Sequence, residues 1–141
     1  IYTLSLHDAL PILVDAHNAA KTGSHLLDID TRLALARESC AHLPGVEVDT
    51  IPGLLADYCV QRGATAIVKG VRNGTDLDAE VPMALLNRDL GAPETVLLVA
   101  APAHAHVSSS LVKDVARHGG DVTAFVPAPV LRALTRAFAG A

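Results

Sequence analysis

The stretch "VKGVRNGTDLDAE", residues 68–80, sets two cations, Lys69 and Arg72, around Gly70 just where an apolar run ends. A glycine there lets a ligand come close to the backbone, and the flanking charges suit an anion. A phosphate site is one reading of these residues. An ordinary solvated corner between a strand and a helix uses the same residue types and is the other. Downstream, Thr75 and Asp78 have capping-box spacing, and Glu80, Ala84 and Asn87 fall on one helical face, since i, i+4 and i+7 align. Pro82 lies too deep for a helix starting at Thr75 and predicts a kink or a later start.

A second candidate is "VSSSLVKDVARHGGD", residues 107–121. Ser108, Ser109 and Ser110 at a helix start offer hydroxyls and unpaired backbone N–H groups, a natural cradle for phosphate oxygens. Arg117 follows two to three turns along. Simple N-capping needs only one serine, so both roles are open. The third candidate is Lys21 in "NAAKTGSH", which either reaches a reacting phosphate from its loop or is a surface lysine.

Other chemistries find little support. His104 and His106 alternate in a loop, and His42 and His118 lie near helix ends, with no third ligand at sensible spacing. A zinc site is not expected. Neither Cys40 nor Cys59 has a nucleophile signature, and both are read as reduced core thiols in helical apolar patterns. No strained G-x-S-x-G turn supports a serine hydrolase.

The elements that must position these residues alternate regularly. A short strand is expected around Leu13–Ala16, then a helix from about Asp28 with Leu33, Ala36, Cys40 and Leu43 in step, closed by Pro44-Gly45. "VEVDTI" reads as a strand, "GLLADYCVQRG" as a short helix ending at Gly63, and "ATAIV" as a further strand. The helix after Arg72 should run to about Leu90. "ETVLLVA" is a strand, "SSSLVKDVARHGG" a capped helix with glycines at its end, and "PAPVLRALTRAFA" a last helix with proline at its start. This alternation predicts an α/β fold, a parallel sheet with helices on both faces. Ligands in such sheets bind beyond the carboxyl ends of the strands. That rule selects the loop holding Lys21, the Lys69–Arg72 corner, and the segment before Ser108.

Composition agrees. The 141 residues are half hydrophobic but only 3% aromatic, without tryptophan, so Ala, Val and Leu must build the core of one domain. A net charge of −4 argues against a broad nucleic-acid surface, though not against a small anionic ligand. No apolar run reaches membrane-span length and nothing resembles a secretory signal. No membrane association and a cytoplasmic location are expected.

Taken together, "IVKGVRNGTDLDAEVPMALLNRDL" and "VSSSLVKDVARHGGDVTAFVP", with the lead-in "GLLADYCVQRGATAIV", closely resemble bacterial phosphopantetheine adenylyltransferases. The resemblance covers roughly the last four-fifths of the chain, in order and spacing, and paired motifs of this kind are specific. It implies a Rossmann-like nucleotidyltransferase fold, usually a homohexamer, that transfers an adenylyl group from ATP to 4′-phosphopantetheine with Mg2+, giving dephospho-coenzyme A and pyrophosphate. By position it implies that Lys69 holds the phosphate of phosphopantetheine, that Leu55 lines the pantetheine arm, and that Asn87 lies near that pocket. Gly70, Val71, Arg72 and Glu80 would contact ATP. His104, Ala105, His106, Val107, Ser108, Ser109 and Ser110 would close over the nucleotide, and Lys21 would match the loop lysine at the reacting phosphates, as substrate-binding and catalytic residue.

The family's G-x-F-D-P-x-T-x-G-H stretch is not found among these residues, and Lys69 stands where many relatives have arginine. "IYTLSLHDALPI", residues 1–12, has neither cap nor period and resembles a translated sequencing adapter. It is therefore expected to be non-native, leaving residues 13–141 as a single adenylyltransferase domain without its first strand–helix portion and with impaired turnover. The rival readings are a non-catalytic nucleotide-binding α/β module and a structural subunit with no ligand.

Overall fold

The computed structural model describes residues 2–5, 10–15 and 25–139. Its strands are β1 (Tyr2–Ser5), β2 (Leu10–Asp15), β3 (Val46–Ile51), β4 (Ala66–Val71) and β5 (Thr95–Val99). Its helices are α1 (Ile29–Cys40), α2 (Leu55–Arg62), α3 (Gly74–Asp89), α4 (Ser109–Arg117) and α5 (Ala128–Phe138). One sheet runs in the order β3-β2-β1-β4-β5. The parallel pairing expected from strand–helix alternation holds for β2 with β3 and for β4 with β5.

Between those two parallel pairs lies β1, antiparallel to both β2 and β4. The sequence reading set residues 1–12 aside; here Tyr2–Ser5 forms the middle strand and Leu10–Ile12 opens β2, three residues before the expected start. Chain geometry explains the direction. Only residues 6–9 separate β1 from β2, enough for an antiparallel return, whereas a parallel neighbour needs a crossover of a dozen residues or more.

The helices pack in two groups, α2 against α3, and α5 against both α1 and α4. One apolar cluster joins Ile51 of β3 and Ile67 of β4 to Ala56, Tyr58 and Cys59 of α2 and to Ala92. The other joins Val112 of α4, Val122 and Leu134 of α5, with Val107 packed against them. The side chains are mostly small and aliphatic, as the aromatic-poor composition requires. At α2 the predicted ending is met: Gly63 takes φ +63, the left-handed conformation glycine adopts without strain, and its N–H reaches back to the carbonyls of Cys59 and Val60.

A polar clip fixes α2 on β3. The Tyr58 hydroxyl donates to Asp49 Oδ2 at 2.8 Å, and Arg62 pairs with Glu47 at 2.6 Å while lying 5.9 Å from the centre of the Tyr58 ring. The α1 prediction needs adjustment. Asp28 caps the helix through the Thr31 N–H at 2.7 Å, as expected, but the helix stops at Cys40. Leu43 falls beyond it and is exposed, and Cys40 is half-buried, so only Cys59 is a core thiol. A thiol in a helix's last turn loses the cover that the next turn would have given.

Two measurements follow. Burial raises the Cys59 thiol to about 11, so a thiol reagent should modify Cys40 quickly and Cys59 only on unfolding; equal rates would contradict this packing. Burial first, and then the hydrogen bond to Asp49, raises the Tyr58 phenol to about 12. Because the folded state favours the neutral phenol, that stabilisation is complete below pH ~10 and is lost between pH ~10 and ~12. The 295 nm titration difference between the parent and Tyr58→Phe should therefore centre near pH 12, and Tyr58→Phe should lose about 1.5 kcal/mol to urea at neutral pH.

Candidate active site

β4 ends in Lys69, Gly70 and Val71, paired in parallel with Leu97, Leu98 and Val99 of β5. Side chains alternate along a strand, and the three residues end up in different surroundings. Val71 is 5% exposed and belongs to the core, and its carbonyl accepts the Ala100 N–H at 2.8 Å, which extends the ladder past β5. Any contact it makes with a ligand must use backbone. Gly70 is exposed, and a Cβ placed there would meet nothing within 4 Å. The backbone is therefore open to close approach at this strand end.

Lys69 is only 12% exposed at its side chain, and its Nζ lies 3.0 Å from Glu80 Oε2. Two residues expected to serve different substrates are thus ion-paired with each other. Glu80 reaches Lys69 because α3 turns one face toward the sheet: Asp76, Glu80, Ala84 and Asn87 are its half-buried positions, the stripe that the i, i+4 and i+7 spacing predicts. Asn87 lies seven residues beyond Glu80, about 10 Å along the helix, toward the end whose carbonyls meet Ala92. Leu55, the first residue of α2, packs at the edge of the cluster holding Tyr58 and Cys59.

The cap of α3 differs from the expectation. Asn73, not Thr75, is the N-cap and accepts the Asp76 N–H at 2.9 Å. The helix begins at Gly74 with Pro82 inside it, so the proline does not delay the start. Pro82 brings no N–H for the Asp78 carbonyl four residues back, and that carbonyl stays without its helical donor.

Arg72, just past β4, is the junction of the site. Its Nε donates to Asp76 Oδ2 at 2.8 Å and its Nη2 to Asp76 Oδ1 at 3.0 Å, a fork on one carboxylate. Its Nη1 donates to the carbonyl of Val107 at 3.0 Å. Asp76 Oδ2 also accepts the Arg72 backbone N–H at 3.0 Å. The side-chain hydrogen bonds, and then that backbone one, hold the Asp76 carboxyl down at about 2. A guanidinium carries five N–H donors, and these contacts leave some of them free on a side chain that is about a third exposed.

Through Val107 the corner meets the segment 104–110. Pro102–His104 makes one turn of 3-10 helix, and Val107 donates its N–H to the His104 carbonyl at 3.0 Å. His104 and His106 are exposed, Ala105 half-buried, and the His106 ring stands edge-on to Phe125 at 5.7 Å between centroids. Ser108 is the N-cap of α4 and accepts the Leu111 N–H at 3.3 Å. The capping reading therefore holds for one serine. Ser109 and Ser110 are exposed in the first turn, where N–H groups have no partners within the helix.

The structure thus joins Lys69 to Glu80 and Arg72 to the 104–110 segment, with Gly70 open between them. Leu55 and Asn87 stand on α2 and α3, which pack together. Lys21 lies outside the described residues. The sequence reading passed over Asn73 and Asp76, although "NGTD" has the Asn-x-x-Asp spacing of a cap and its reciprocal acid. It also passed over the i, i+4 relation of Arg72 to Asp76. Among the described residues no helix is long and apolar enough to cross a membrane.

No protein-family model matches the chain. Curated proteins do. The phosphopantetheine adenylyltransferase of Clavibacter michiganensis subsp. michiganensis is 53% identical over 96% of this chain and 83% of its own length. That of Kocuria rhizophila is 51% identical over 92% and 81%, and that of Deinococcus radiodurans 46% identical over 87% and 74%. With identity at this level spread across most of both partners, and an α/β sheet carrying the paired motifs at its strand ends, the chain belongs to the phosphopantetheine adenylyltransferase family of nucleotidyltransferases.

Proposed function

We propose that this chain joins ATP and 4′-phosphopantetheine at the carboxyl end of β4, forming dephospho-coenzyme A and pyrophosphate in coenzyme A biosynthesis. The observation that supports it best is the hydrogen bond from Arg72 to Val107, which brings both motifs to one corner. In this reading an oxygen of the 4′-phosphate attacks the α-phosphorus of ATP. The new O–P bond forms as the bond to the bridging oxygen of the β-phosphate breaks, and pyrophosphate leaves.

The chain's task is to bring two polyanions together, since positioning and charge neutralisation supply most of the rate in such transfers. Lys69 takes the phosphate of phosphopantetheine, with Leu55 and Asn87 along the pantetheine arm. Gly70 and Val71 offer backbone to ATP, Glu80 a carboxylate, and Arg72 its spare N–H groups. The segment from His104 to Ser110 covers the nucleotide, with the free amides of Ser109 and Ser110 at its phosphates. Lys21 serves the reacting phosphates. Among the described residues no group of three or more His, Cys, Asp or Glu could hold a metal, so Mg2+ would arrive on the triphosphate, bound by phosphate and water oxygens. There it would neutralise charge on the phosphates.

These 141 residues contain no G-x-F-D-P-x-T-x-G-H stretch, and in this form we expect binding to outlast turnover. A cytoplasmic homohexamer completes the reading. Its support is apolar surface that the single chain leaves open: Leu77, Val81, Leu85 and Leu86 on α3, Leu98 and Val99 on β5. None of α3 is buried in the monomer, and a subunit contact would cover such a surface.

Calorimetric titration with dephospho-coenzyme A tests the proposal without requiring turnover, because that product spans both halves of the site. Saturable binding is expected, weakened about tenfold or more by Lys69→Ala through loss of a charge-assisted contact, with circular dichroism unchanged. A folded chain that binds ATP but not dephospho-coenzyme A would instead be a nucleotide-binding module. One that binds neither would overturn the reading altogether.

A further inference from the structure

Arg72 is better tethered than nucleotide contact alone would need. Its backbone N–H and the Nε and Nη2 groups all end on Asp76, and the Asp76 amide is itself fixed by Asn73 Oδ1. With two of the three guanidinium nitrogens held, the third is aimed, and it points Nη1 at the carbonyl of Val107, thirty-five positions along the chain. Val107 is a useful place to hold. Its side chain packs on the Val112–Val122–Leu134 cluster, and its N–H closes the turn from His104. The next residue, Ser108, caps α4. This hydrogen bond thus ties the 3-10 turn, the serines and the first amides of α4 to the residue that follows β4.

We infer that Asp76 is a positioning residue for nucleotide binding, acting through Arg72 to hold the 104–110 segment over the strand end. The inference rests on the proposed function for its ligand but not for its geometry. A partly exposed i, i+4 ion pair contributes little to global stability, so the carboxylate's effect should be local. Lysine cannot replace the arginine, because a point charge lacks the fork that fixes direction.

The test uses the whole chain and two readouts. First, hydrogen exchange without ligand follows the protected amides of Val107, Leu111 and Val112. Asp76→Asn and Arg72→Lys should each speed their exchange roughly tenfold, while the amides of α2 keep their protection. Asp76→Glu, which keeps the charge and the fork, should restore part of it. Second, Asp76→Asn should weaken ATP binding by roughly tenfold and leave 4′-phosphopantetheine binding within about twofold. The same substitution in an Arg72→Lys background should add nothing to the ATP loss, as expected of residues acting as a unit. Unchanged exchange at Val107 and Leu111, equal weakening of both ligands, or additive losses in the double variant would each overturn the inference. If the parent chain binds no ATP, the proposed function fails, and the exchange result still decides whether Asp76 holds the segment. Should Asp76→Asn unfold the chain, Arg72→Lys, which leaves the Asn73 cap intact, decides the exchange question.

Discussion

The guanidinium of Arg72 is the point on which the site's geometry turns. A strand end is a poor place to hold a polyanion unless something else brings donors to the same spot. The chain has to fold back through α3 and β5 before α4 can present its first turn. Arg72 spans that return, with its fork on Asp76 at one side and the carbonyl of Val107 at the other. Beside it, Lys69 and Glu80 share an ion pair with little exposure. The two cations of the corner are therefore both held by acids of α3, at helix positions four residues apart. α3 thus orients both charges at the end of β4.

This arrangement explains why α3 is amphipathic in an unusual sense. The side toward the sheet carries Asp76, Glu80, Ala84 and Asn87, and many of its leucines look outward. The face that supports the site and the face that leaves Leu85 and Leu86 exposed are therefore different sides of one helix. Pro82 sits within it and removes one internal hydrogen bond.

Much of this was legible before any coordinates. "VEVDTI" forms β3 over the range expected, Gly63 ends α2 in the left-handed conformation, Ser108 caps α4, and the Glu80–Ala84–Asn87 stripe is the half-buried face. These features are local, with a period, a cap or a glycine stating each directly in residue order. What depends on partners distant in sequence was not legible. Spacing could place Lys69 and Glu80 but not reveal that they would pair, and nothing near Arg72 announces the carbonyl of Val107. The strand Tyr2–Ser5 was missed because residues 1–12 show neither cap nor period and were set aside as adapter-like, while its pairing with β2 and β4 is set by residues outside it. The α3 cap was missed for a plainer reason: two cap signals lie two residues apart, and the hydrogen bond from the Asp76 amide favours Asn73 over Thr75.

If both motifs build one site, phosphopantetheine binds on the Lys69 side of Gly70 and the nucleotide on the Arg72 side. A crystal structure of the chain with dephospho-coenzyme A tests this most directly. The adenosine should lie beside Gly70 and the first turn of α4, with a phosphate oxygen of the product within hydrogen-bond distance of Lys69 Nζ. Ligand bound elsewhere, for example in the groove that α5 forms with Gly119–Val122, with the corner around Gly70 left empty, would contradict it.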